Sequence, residues 1–189
     1  MARVVGAVLA AGSGSRMGSP KAELRVDGMR LVERAVAALS DGGCDSALAV
    51  VRAGVAVPGA QVVVNPDPER GMRSSLALAV DAADGDALAV LLVDMPGVAA
   101  AAVRTVVAGW APGRVTVATY AGRRAHPIVM SIDLWREALN VAGADEGARA
   151  LLAARPHLID EMPVHGDPAD LDTPGDLTKW DQARQPRPR

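Results

Sequence analysis

The chain has 189 residues, half of them hydrophobic but only four aromatic (Trp110, Tyr120, Trp135, Trp180), and a formal net charge of −2. A core of Ala, Val and Leu suits helices packed closely on a parallel sheet, while the scarcity of rings argues against a stacking platform for single-stranded nucleic acid. The charge balance excludes a general field for nucleic acid, the single cysteine, Cys44, excludes an internal disulfide or a cysteine-based zinc cluster, and no apolar run reaches the ~18 residues of a membrane span.

Strand-like and helix-like segments alternate along the chain. VVGAVLA (4–10) is an aliphatic run that stops at Gly12, the pattern of a buried strand. MRLVERAVAALSDGG (29–43) reads as a helix, with Leu31, Val32, Ala35, Val36 and Leu39 at the 3.6 period and Gly42-Gly43 ending it. SALAVV (46–51) and QVVVN (61–65) are strands, MRSSLALAVDAA (72–83) is a helix, and ALAVLLVDMP (87–96) is the most apolar strand, ending in an acid and a proline. VAAAAVRTVVAGW (98–110) is a helix. GRVTVATY (113–120) and HPIVMS (126–131) read as a hairpin joined by the basic turn AGRRA. DLWREAL and DEGARALLAAR are helices, HLIDEMPV is a late strand, and TPGDLTKW opens the last helix with Thr173 as N-cap and Pro174 at its first position.

Such alternation implies right-handed crossovers onto a parallel sheet. The expected fold is α/β, a Rossmann-like three-layer α/β/α arrangement with a mostly parallel sheet and a mixed or antiparallel edge. One domain is expected over 1–182, with ARQPRPR as a fraying tail from 183 to 189. The lone cysteine and the lack of a basic, cleavable leader fit a cytoplasmic protein.

Ligands of such sheets bind beyond the carboxyl ends of the strands. Three loops fall there: 11–21, 65–75 and 94–96. The first holds Gly12, Gly14 and Gly18 with Arg16, Pro20 and Lys21. It fits neither the dinucleotide fingerprint, because Gly12-x-Gly14-x-x-x-Gly18 is misspaced and followed by Pro20, nor a Walker A loop, because Lys21 is displaced and Ala22 follows it. What remains is a glycine loop whose backbone N–H groups can face an anion, with two added cations. The structural alternative is a turn that needs the glycines but not both cations.

LAAGSGSRMGSPK (9–21) resembles the signature L-A-A-G-x-G-x-R-M-G-x-P-K of the MobA-like nucleotidyltransferases and is most similar to their molybdenum cofactor cytidylyltransferase branch. GMRSSLALAV (71–80), LLVDMPGV (91–98), HPIVM (126–130), ADEGARALL (144–152) and DLDTPGDL (170–177) resemble further segments of that branch in the same order. The chain departs from the pattern at Ala125 and Ala79, where glycine is usual, and at Gly175, where glutamate is common.

The resemblance implies transfer of a nucleotidyl group from a nucleoside triphosphate, CTP favoured, to the terminal phosphate of molybdopterin, with release of pyrophosphate. Positioning and charge balance dominate such chemistry, which suits a chain without a nucleophile elbow or a histidine cluster. Lys21, Arg16 and Asp94 are the implied catalytic residues. Leu9, Ala10, Ala11, Gly12, Gly14, Arg16, Lys21, Asn65, Gly71, Ser74 and Ser75 are expected at the nucleotide, and His126, Asp145 and Arg149 at the acceptor. Asp94 and Asp172 are the implied ligands of Mg²⁺, which takes one or two carboxylates plus substrate phosphates. Each has a plainer role open to it: Asp94 and Asp172 as helix caps, Ser74 or Ser75 as a cap, His126 as a structural histidine, Arg149 in a pair with Asp145 or Glu146. Asp170 is a weaker metal candidate. The expected partners are the triphosphate, molybdopterin or the molybdenum cofactor, and a recipient molybdoenzyme or its chaperone, with neither nucleic acid nor membrane. Competing readings are a guanylyltransferase, transfer to another phosphorylated acceptor, a non-catalytic nucleotide or molybdopterin binder and, remotely, a nicotinamide dehydrogenase.

Overall fold

The first aliphatic run forms strand β1 (Val4–Leu9), with all six residues buried. In the computed structural model, which describes residues 2–141, 143 and 147–184, a small ribbon follows: β2 (Arg25–Val26) and β3 (Met29–Arg30), joined at Asp27-Gly28. Both turn residues have positive φ (53° and 80°), the geometry that an Asp-Gly pair favours in a two-residue hairpin. The expected start of the first helix at Met29 is therefore corrected: α1 (Leu31–Asp41) begins where the ribbon ends. The chain then runs through β4 (Ser46–Val51), β5 (Gln61–Val64), α2 (Met72–Ala82), β6 (Ala87–Leu92), α3 (Ala100–Gly109), β7 (Val115–Tyr120), β8 (Arg123–Ser131), α4 (Ile132–Val141), α5 (Arg149–Ala154), β9 (Ile159–Pro163) and α6 (Pro174–Arg184). The basic turn is shorter than expected. Ala121-Gly122 alone connects β7 to β8, and Arg123 and Arg124 belong to the strand. Helix α6 runs two residues past the expected boundary at 182, and the rest of the expected tail, 185–189, lies outside the described residues.

The large sheet has the order β5-β4-β1-β6-β8-β7-β9. Pairing is parallel from β5 through β6 and again between β7 and β9. Only β8 runs against the others, and it lies inside the sheet between β6 and β7. Side chains alternate across the sheet. Val4 and Val8 of β1 join one apolar cluster with Leu31, Leu39, Val103 and Trp180, so α1, α3 and α6 cover that face. Val5, Ala7 and Leu9 join a second cluster with Leu76, Trp135 and Leu151, so α2, α4 and α5 cover the other. The fold is thus a Rossmann-like three-layer α/β/α sandwich.

Small residues let the helices approach closely. A Cβ on Gly6 would lie 2.9 Å from Leu39 Cβ, and one on Gly42 would lie 2.5 Å from Val103 Cβ. This explains how a core nearly free of rings fills its space. The strand directions bring the loops after β1, β5, β6, β7 and β9, and the start of β8, to a single edge of the sheet.

Candidate active site

At that edge Lys21 meets two acids. It opens a one-turn 3-10 helix, Lys21–Glu23, directly after Pro20. Its Nζ donates to Asp94 Oδ2 at 2.6 Å and to Asp172 Oδ1. Burial alone would lower the Lys21 pKa, but the hydrogen bonds to Asp172 and Asp94, together with their charges, raise it above 10.5. The side chain is therefore an ammonium at any physiological pH. Asp170 lies close by. Burial, then the charges of Asp94 and Asp172, push its carboxyl above the ordinary range.

Neither acid beside Lys21 is a helix cap. Helix α3 starts at Ala100 behind Ala99, so Asp94 and Pro96 both precede it. Helix α6 is closed by Thr173 and Asp176: Asp176 Oδ2 accepts from Thr173 N (2.9 Å) and Oγ1 (2.7 Å), and Thr173 Oγ1 accepts from Asp176 N (3.3 Å). This reciprocal cap leaves the Asp172 carboxylate to Lys21. The two acids are joined through the backbone as well, because Leu171 N donates to Asp94 O at 2.8 Å. Gly97 permits the crossing, since a Cβ there would lie 2.3 Å from Asp167 O.

Asp94 Oδ1 is buried and has no hydrogen-bond partner among the described residues, an expensive condition for a carboxylate oxygen. With Asp172 adjacent, the pair fits a hard divalent cation that takes its other ligands from phosphate and water.

The glycine loop is shaped mainly by Gly14, at φ +61°. A Cβ there would lie 2.0 Å from Ser19 O and 3.0 Å from Lys21 N, so only glycine allows the loop to fold back and present Lys21. Gly12 is different, because a Cβ on it would meet nothing within 4 Å. Arg16 is exposed and has no hydrogen-bond or ion-pair partner among the described residues. Ala10 and Ala11 are buried, and Arg52 Nε donates to Ala11 O at 2.9 Å while its guanidinium pairs with Glu69 at 2.5 Å. Arg52 was not among the expected site residues, although, like Gly12 and Asp94, it stands directly after an apolar run.

A cavity of about 590 Å³ lies between this loop and the start of α2, lined by Ala11, Gly12, Lys21, Gly71, Ser75 and Asp94 among others. The N-cap residue Gly71 has no side chain to cap α2, and the N-terminal turn of the helix, with its positive dipole end, borders the cavity. Asn65 stands behind the lining. Its Nδ2 donates to Ser74 Oγ and Ser75 Oγ, both at 3.0 Å, and its Oδ1 accepts from Asp67 N at 3.0 Å. Ser74 Oγ in turn donates to Gly71 O at 2.8 Å. Asn65 and Ser74 brace the turn, whereas Gly71 and Ser75 face the space.

A larger cavity, about 1110 Å³, opens beside the first and shares Leu9, Met72 and Leu92 with it. Its walls include Trp135, Ile128 and Tyr120, with His126, Arg123, Arg149 and Asp170 as polar members. Arg149 is the exposed first residue of α5. Asp145 lies outside the described residues. Arg123, His165 and Asp167 line this cavity without having been expected there, since their positions depend on the short hairpin and on the crossing of 165–172 over the β6 loop.

A mostly parallel seven-stranded sheet between two layers of helices is the fold of the Rossmann-like nucleotidyltransferases. The chain belongs to the family of MobA-like NTP transferase domains, whose model matches residues 6–159. It is 36% identical over 174 residues to a protein of Paenarthrobacter nicotinovorans named nicotine blue oxidoreductase, covering 83% of this chain and 85% of that one. It is 38% identical over 104 residues to a probable molybdenum cofactor guanylyltransferase of Opitutus terrae, covering 52% and 51% of the two chains. The crystal structure of Rv0371c from Mycobacterium tuberculosis superposes with a TM-score of 0.82 at 26% identity over 96% of this chain and 98% of that one. A complex of the same protein with manganese gives a TM-score of 0.78 at 27% identity over 96% and 99%.

Proposed function

We propose that this protein transfers a nucleotidyl group from a nucleoside triphosphate, with CTP favoured, to the terminal phosphate of molybdopterin or the molybdenum cofactor, forming a dinucleotide cofactor and pyrophosphate. The observation that carries the reading is the placing of Lys21 between Asp94 and Asp172, with Lys21 and Asp94 in the wall of the smaller cavity, which adjoins the larger one. Two polyanions must be brought together there, and that requires cationic groups at the junction.

The smaller cavity takes the triphosphate. Leu9, Ala10, Ala11, Gly12 and Gly14 supply the backbone cradle, while Gly71, Ser75 and the N-terminus of α2 form the opposite wall, braced by Asn65 and Ser74. Lys21 offsets charge at the α-phosphate and Arg16 at the outer phosphates. The larger cavity takes the acceptor, with His126 and Arg149 beside it and Asp145 as a further candidate. A terminal phosphate oxygen of the acceptor attacks the α-phosphorus, and the bond to the pyrophosphate oxygen breaks. A phosphate monoester is largely a dianion at pH 7, so the attack needs neither a protein nucleophile nor a base. Asp94 and Asp172 would hold Mg²⁺, whose charge would offset that developing on the transferred phosphate. We place the whole activity in one domain over 1–182 and in the cytoplasm, with a recipient molybdoenzyme or its chaperone as the next partner. No helix among the described residues is long and apolar enough to cross a membrane.

The preference for CTP rests on the resemblance of GMRSSL to the cytidylyltransferase branch. GTP is the alternative, supported by the Opitutus relative. Another phosphorylated acceptor and a non-catalytic binder are the remaining readings, the latter disfavoured by the intact set of Lys21, Arg16, Asp94 and Asp172. An oxidoreductase reading draws on the name of the Paenarthrobacter relative, and nothing in the glycine spacing of this chain supports a resident nicotinamide dinucleotide. The test is pyrophosphate release with Mg²⁺, molybdopterin and each of the four NTPs. Release with CTP supports the proposal, release with GTP alone overturns the cytidylyl assignment, and nucleotide binding without any release overturns catalysis.

A further inference from the structure

His126 reaches the larger cavity through a break in the sheet. β7 and β8 pair from Tyr120↔Arg123 to Ala118↔Ala125 and resume at Val117↔Ile128. His126 and Pro127 are therefore extra residues on β8, a bulge of the kind that re-aims a side chain. On the other side, pairing of β8 with β6 ends at Val90↔Ile128. The two polar ends of His126 that could be satisfied locally both are: its carbonyl accepts from Tyr120 Oη at 3.0 Å, and its Nδ1 lies 3.0 Å from Val90 O.

A carbonyl oxygen can only accept, so Nδ1 carries a hydrogen. Burial lowers the ring's pKa against the opposing pull of the Val90 carbonyl and the Asp94 charge. The ring is thus neutral, with its lone pair on Nε2, which has no partner among the described residues. A lone pair is repelled by a phosphate dianion and attracted by an N–H. The imidazole also sits at the level of Val90, four residues before Asp94 along the chain. Whatever touches it lies deeper than a phosphate reacting at Asp94. Val117, Ile128, Trp135 and Leu152 make that depth apolar, and such walls suit a flat ring.

We propose that His126 reads the ring of the acceptor and not its phosphate: Nε2 accepts a hydrogen bond from an N–H of a flat nitrogen heterocycle held in the larger cavity. The inference rests on reading that cavity as the acceptor site, and it makes His126 a determinant of which acceptors bind.

The test uses a pterin without a phosphate group and, separately, phenyl phosphate, each titrated against the full-length protein and three variants. His126→Phe weakens pterin binding about tenfold, the loss of one hydrogen bond, with phenyl phosphate affected less than about twofold. His126→Gln, whose side-chain oxygen can accept, recovers most of the loss, and His126→Arg does not. Tighter phenyl phosphate binding by His126→Arg, with His126→Gln as weak as His126→Phe, overturns the proposal, as does a wild-type protein that binds no pterin. Nitrogen-15 spectra of the unliganded protein at pH 7 must show hydrogen on Nδ1 alone, so hydrogen on both ring nitrogens overturns it even if the variants fail to fold. His126-dependent pterin binding without pyrophosphate release would refute the transferase reading and leave this inference standing.

Discussion

The Lys21 ammonium stands between two carboxylates from distant parts of the chain, 2.6 Å from Asp94 Oδ2 and in direct contact with Asp172 Oδ1. A single charge thus occupies the place that suits a divalent cation. The three side chains are 15%, 19% and 45% exposed, so solvent screens the pair only in part.

Removing that charge leaves Asp94 and Asp172 facing each other without compensation. Lys21→Met is expected to lose about 1–2 kcal/mol of stability, after discounting a buried pair for its exposure. It should lose at least about 100-fold in turnover. Because the variant has only a cation to bring the acids together, Mg²⁺ or Mn²⁺ should raise its thermal midpoint more than that of the wild type. A larger rise in the wild type would contradict the shared position of lysine and cation.

Asp94→Asn keeps the shape of the side chain and removes its charge. Turnover should fall by about 1000-fold or more, with stability within about 1 kcal/mol of wild type and weaker metal binding by titration calorimetry. Retained activity would show that Asp94 is not the metal ligand.

Thr173 acts one step away from the chemistry. Thr173→Ala removes the cap of α6 and should cost about 1 kcal/mol in urea denaturation. Asp172 then loses its anchored neighbour, and the Mg²⁺ concentration giving half-maximal activity should rise. A stability loss with an unchanged metal requirement would separate the cap from the site.

Gly14→Ala tests the loop itself. Its Cβ would strike Ser19 O at 2.0 Å, so the turn that presents Lys21 cannot close. Nucleotide affinity should drop at least about tenfold in equilibrium dialysis, whereas Gly12→Ala, with open space around it, should fold normally.

The large sheet was legible because its strands are uninterrupted aliphatic runs ending at Gly12, Asn65 and Asp94, and local periodicity carries that information. The ribbon at 25–30 escaped notice because two-residue strands leave no periodic pattern, although Asp27-Gly28 signalled its turn. The loops around Gly12 and Asp94 could be placed at one edge from strand direction alone. The contact of Lys21 with Asp172 could not, since it depends on residues 165–172 crossing the β6 loop at Gly97, far away in sequence. Whether Asp172 capped a helix or faced the site was decided only by the bonds between Thr173 and Asp176. The neutral state of His126 depends likewise on a bulge and a carbonyl that no spacing reveals.

Cys44 is expected to make the protein sensitive to alkali. Burial, then the charge of Asp45, pushes its thiol from 9.0 up to about 12. A pKa raised on folding contributes stability that is complete below the unfolded value and is lost as pH rises through the folded one. The urea midpoint should therefore fall between pH 8 and pH 11, and fall less in Cys44→Ala. Burial also raises Tyr120, to about 12, so part of the decline should persist in the variant.

The most direct measurement follows the α-phosphate. Incubated with Mg²⁺, molybdopterin and CTP labelled at that phosphorus, the protein should place the label in a molybdopterin dinucleotide and release an equal amount of unlabelled pyrophosphate. If no labelled dinucleotide forms with any of the four triphosphates although nucleotide is bound, the site does not transfer nucleotidyl groups to this acceptor and the account fails.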